Sequence, residues 1–61
     1  MKLKEFNFNE IPVRGLSIFV DDKEVAMGFI GETLREIAPL NLADKEIKST
    51  NIYFDTFVIR L

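Results

Sequence analysis

The chain reads as a small α+β domain. The expected architecture is a four-stranded, mostly antiparallel sheet of two hairpins, with one short helix between them and a short N-terminal helix or arm. Three observations predict it. Apolar residues alternate with period two over 13–20 and again over 24–30, on either side of four charges. Helical spacing occurs once with clear punctuation, between Gly31 and Pro39. The closing stretch from Asn51 to Leu61 is β-branched or aromatic almost throughout, with apolar residues on both parities of the strand period, as in a strand covered on both faces.

The elements follow in order. Residues 1–11 fit a short helix or irregular arm that packs Phe6 and Phe8 inward and is closed by Pro12. Leu16, Ile18 and Val20 form one parity of the first strand, and Val25, Met27 and Phe29 continue it in the second. This places Ile18 and Met27 in the principal core. Asp21-Asp22-Lys23-Glu24 lacks the Asn-Gly or Asp-Gly of a tight type I′ turn, so a four-residue loop on a type I turn is expected. Gly28 inside the second strand marks a bulge or a close approach by another backbone.

Leu34, Ile37 and Ala38 then share a helical face, Thr33 with Glu36 matches a capping box, and Pro39 limits the helix to two turns. Asn41 to Asp44 allows one further turn. Residues 46–61 divide into two strands around a weak turn at Asp55-Thr56, with one long bent strand as the competing reading.

With 61 residues the chain makes a single domain, 1–61, near the lower size limit for a self-sufficient core. Domains this small lean on disulfides, metals or oligomerisation. Cysteine and histidine are both absent, which excludes the first and removes the commonest ligand for the second. A homo-oligomer is therefore expected. At 48% hydrophobic and 30% charged residues the composition is globular rather than disordered. No run is long enough to span a bilayer, and Met1-Lys2-Leu3-Lys4-Glu5 is followed by no signal-peptide apolar region, so the cytoplasm is the expected compartment.

The order of elements carries a resemblance. Ile18-Phe19-Val20-Asp21-Asp22-Lys23-Glu24-Val25, a Leu-rich helical link, Asp44-Lys45-Glu46-Ile47-Lys48-Ser49 and the terminal Phe57-Val58-Ile59-Arg60-Leu61 together resemble the small uncharacterised proteins of phages and mobile elements of Gram-positive bacteria. The pattern covers most of the chain but contains no signature motif. Such proteins often carry Gly in the last turn, where this chain has Asp55-Thr56. The resemblance implies an accessory role in a phage or mobile-element programme and brings no site residues.

Little chemistry fits. Without His and Cys the common nucleophile–base pairings are absent, and no Ser-x-x-Lys occurs. Asp21 with Asp22 reads as a solvated turn, and Glu32 with Glu36 as a helix start favoured by the dipole. Neither a catalytic site, a metal site nor a cofactor is expected. A net charge of −2 argues against nucleic acid, although Tyr53, Phe54 and Phe57 have the character of base-stacking side chains.

What is left is an interaction surface. If the arm and helix cover one face of the sheet, the second parity is partly open. The residues expected there are Phe19, Ile30, Ile52, Tyr53, Val58 and Arg60. The chain thus reads as a non-enzymatic protein-binding module. A self-associating accessory protein is the first alternative and a small nucleic-acid binder the second. The segment 52–61, with no proline and only Asp55 and Arg60 charged, is expected to be the association edge.

Overall fold

A computed structural model describes residues 1–61. Four strands, β1 (Gly15–Val20), β2 (Lys23–Phe29), β3 (Ser49–Tyr53) and β4 (Thr56–Arg60), form one sheet in the order β2-β1-β4-β3. Both hairpins are antiparallel, and they join through a parallel β1–β4 seam. The α+β class, the two hairpins and the intervening helix are as the sequence predicts. The C-terminal strand, however, lies in the interior of the sheet. The open edges belong to β2 and β3, so the association edge expected over 52–61 is not formed by β4.

The first turn differs from expectation. Asp21 and Asp22 make a two-residue loop with φ of 50° and 65°, the left-handed pair that a type I′ turn requires. Asp is among the few residues besides Gly that adopt this conformation readily.

A second difference has larger consequences. Ile18 pairs with Ala26 and Phe19 with Glu24, which leaves Val25 as an extra residue in β2. This bulge, not Gly28, shifts the parity of everything after it. Ala26 and Gly28 turn inward, while Met27 and Phe29 turn outward. The assignment of Met27 to the core is therefore corrected.

The physical reason lies in the helix. The α-helix α1 (Ile30–Ile37) begins directly after β2 with no connecting loop, so it folds back onto its own strand. A Cβ on Gly28 would lie 3.3 Å from Glu32 Oε1 and 3.7 Å from Thr33 Oγ1. Only small side chains leave room beneath the helix. Its start is capped by Glu32, whose carboxylate accepts from the Phe29 N–H at 3.1 Å. Thr33, expected as the cap, is instead fully buried and donates its hydroxyl to the Leu16 carbonyl at 2.7 Å. A 3-10 turn over Ala38–Leu40 ends the helix, and Asn41 exits in the left-handed conformation.

Leu16, Ile18 and Ile59 are completely buried at the centre of the covered face, with Leu3, Ala26, Ile37, Leu42 and Leu61 around them. Beneath β4 the second layer is the N-terminal arm. Its two 3-10 turns, Leu3–Glu5 and Phe8–Glu10, bring Phe6 and Phe8 to the core as expected, with the Phe6 ring 5.5 Å from that of Phe57. The Leu3 and Lys4 amides donate to the carbonyls of Lys45 and Ala43, and Lys4 pairs with Asp44 at 2.7 Å. That contact holds the Lys4 ammonium above its usual pKa, through its hydrogen bond to Asp44 and then the charge of that carboxylate.

Candidate functional site

The other face of the sheet has no covering layer. Its side chains fall into three rows across β2, β1, β4 and β3: Phe29, Gly15, Thr56 and Tyr53; then Met27, Ser17, Val58 and Asn51; then Glu24, Phe19, Arg60 and Ser49. Small residues occupy the two central strands of the first row, and large ones stand on the outer strands. The face is therefore a shallow trough running along the strands. Its floor is Gly15, Ser17, Thr56 and Val58, with Met27 and Phe29 as one wall and Tyr53 as the other. The depression over Ser17, Thr56 and Val58, between Met27 and Tyr53, measures about 380 Å³, and Gly15 and Phe29 line a second one of about 290 Å³ that meets it at Met27 and Thr56.

One end of the trough is closed by a stacked pair, with the Arg60 guanidinium 4.4 Å from the Phe19 ring centroid. Such a contact fixes both side chains and leaves the charge facing solvent. Ser17 is buried and donates its hydroxyl to the Glu24 carboxylate at 2.5 Å, which occupies both groups. At the other end is the β3–β4 turn. Phe54 takes φ 56° there, at the position where a tight hairpin turn usually has Gly. Phe54 is 85% exposed, and its ring meets that of Tyr53 edge-on at 4.7 Å. A bulky residue in the left-handed region, with its ring in water, is unfavourable on both counts.

The walls are apolar and solvent-facing: Met27 is 59% exposed, and Phe29 and Tyr53 are 65% exposed. No three carboxylates converge anywhere on the molecule, and Asp21 and Asp22 stand in the far turn. The chemistry available on this face is burial of apolar area, stacking and a few hydrogen bonds.

Of the six residues expected at the surface, Phe19, Tyr53, Val58 and Arg60 gather here. Ile52 does not. It pairs with Phe57 and so lies on the covered face, at the outer margin of the sheet, where it is partly exposed. Ile30 opens α1 and packs half-buried against the core. Met27 and Phe29 were missed because period two alone assigns them inward. The readable signal was the small pair Ala26 and Gly28 immediately before a helix without a loop. Phe54 had no comparable signal, since an exposed aromatic at a turn tip looks like a strand residue in sequence.

No protein-family model, curated protein or solved structure matches this chain. No helix is long and apolar enough to cross a membrane.

Proposed function

We propose that this protein is a non-enzymatic protein-binding module whose open sheet face receives an amphipathic helix of a partner. The observation that carries the reading is the trough itself, with its small-residue floor and apolar walls. A domain is ordinarily built from layers that bury each apolar face, and here the second layer is missing. The two walls stand on strands three spacings apart, about 14 Å, and a helix with its side chains measures about 10–12 Å. The face carries one carboxylate and one guanidinium, each already engaged, so the complementary surface is uncharged at its centre, with apolar side chains against Met27, Val58 and Tyr53 and hydrogen-bonding groups against Asn51 and Thr56. In its most concrete form, which rests on the resemblance to small phage and mobile-element proteins, the partner is a host or phage protein.

The test is photo-crosslinking in a Gram-positive bacterial lysate from probes at positions 27 and 53, with position 36 on the exposed side of α1 as control. The expected result is one stoichiometric partner captured from 27 and 53 and not from 36, and lost in Tyr53→Lys. Its cross-linked segment should carry apolar residues at i, i+3 and i+4. Equal capture from position 36, or salt-sensitive retention on single-stranded DNA through the same face, would replace this reading.

A further inference from the structure

We propose that β3 is a self-pairing edge, which joins two copies antiparallel about a two-fold axis at Asn51 into one eight-stranded sheet. This concerns the edge of the sheet and does not depend on what occupies its face.

The two edges are unequal. β2 is interrupted by the Val25 bulge and begins with Lys23 and Glu24, the devices that ordinarily block edge pairing. β3, Ser-Thr-Asn-Ile-Tyr, has neither charge, proline nor bulge, and all five residues are exposed. It presents an unblocked edge.

Its hydrogen-bonding phase selects a register. A two-residue loop closes on a hydrogen-bonded pair, so Tyr53 pairs in this way with Thr56, and by alternation Asn51 with Val58. The N–H and C=O groups of Thr50 and Ile52 therefore point away from β4. An antiparallel copy centred on Asn51 sets Thr50 against Ile52 of the second copy, and Ile52 against its Thr50. All of these outward groups are satisfied, and this is also the register of full overlap for the five residues. Shifting the centre by one residue shortens the overlap.

Charge agrees with direction. Lys48, whose exposed ammonium also lies 3.7 Å from Asp21 Oδ1 of its own chain, precedes β3, and Asp55 lies in the turn that follows it. Antiparallel pairing brings the cation of each copy to the anionic end of the other, whereas parallel pairing opposes like charges. Because the axis is normal to the sheet, both troughs face the same side. Ile52, partly exposed at the margin, gains a neighbour on the covered face. A five-residue strand is only about 17 Å long. The contact is thus smaller than the roughly 1,200 Å² of stable complexes, and the dimer is concentration-dependent.

The chain has no cysteine, so single thiols report position cleanly. Thr50→Cys, Asn51→Cys and Ile52→Cys are oxidised mildly at high concentration. Only position 51 opposes itself in this register, and it should form the disulfide dimer several-fold faster than its neighbours. In the unsubstituted chain, exchange of the Thr50 and Ile52 amides should slow as concentration rises from micromolar to millimolar. Ile52→Pro removes an outward donor and should remain monomeric by sedimentation. Thr50→Lys, at an exposed position, should keep its melt and do the same. Faster cross-linking at 50 or 52, equal rates at all three, or a monomer with concentration-independent exchange would each overturn the proposal.

Discussion

On the covered face of the sheet, Leu16, Ile18 and Ile59 have no exposed surface. On the other side of the sheet, Met27 and Tyr53, which stand on the outer strands, keep well over half of theirs. Hydrophobicity does not separate the two sets. What separates them is material to cover them: one helix of eight residues and one arm suffice for one face only. The covered side holds the fold, while the open side holds side chains that the fold can lose.

The sharpest way to break this contrast is Ile18→Ala. Truncation at a fully buried site costs about 2–5 kcal/mol, against roughly 3–5 kcal/mol for a core of this size, so much of the protein should be unfolded by circular dichroism at 25 °C. An unchanged melt would show that the two faces do not differ in weight. Thr33→Val comes next. It removes the hydroxyl hydrogen bond to the Leu16 carbonyl, which keeps its place in the ladder opposite Gly28, and should cost about 1 kcal/mol in urea denaturation.

Phe54→Gly has the opposite sign. Relief of the left-handed strain should raise stability by up to about 1 kcal/mol, because the ring is not part of the core. A loss of stability would mean that its contact with Tyr53 holds the hairpin. Met27→Ala, on the open face, should change the unfolding free energy from urea denaturation by less than about 0.5 kcal/mol. An effect like that of Ile18→Ala would restore Met27 to the core.

Lys4→Met should be the weakest change, since the Lys4–Asp44 pair is solvent-exposed. The folded-state pKa of Lys4 is raised, so its small contribution is present below the ordinary lysine pKa. As the pH rises through the folded value that contribution disappears, and melts of parent and variant should converge in strong alkali.

Much of this was legible in the residues. Alternation around Asp21-Asp22 specifies a hairpin, the Leu34-Ile37-Ala38 spacing before Pro39 specifies a short helix, and Phe57, Ile59 and Leu61 identify an inward parity that the structure keeps. What failed was parity beyond one extra residue. A bulge leaves no periodic trace, and Val25 suits a strand as well as its neighbours do, so the outward turn of Met27 and Phe29 could be inferred only from the room α1 needs above Ala26 and Gly28. Strand order was hidden for a different reason. Local patterns define each hairpin, but which hairpin edge meets which is decided by the layer beneath, where Phe6 packs on Phe57 and α1 on β1 and β2.

The parallel seam between β1 and β4 also governs time. Each hairpin closes over two residues, an event of about 1–10 μs, whereas Gly15 and Thr56 must meet across most of the chain. The sequence separation of this seam predicts that its closure limits the folding rate, with loop-closure entropy offset only once Ile18 and Ile59 touch. Ile59→Val should accordingly slow refolding, whereas a mild destabilisation in β2 should act mainly by speeding unfolding.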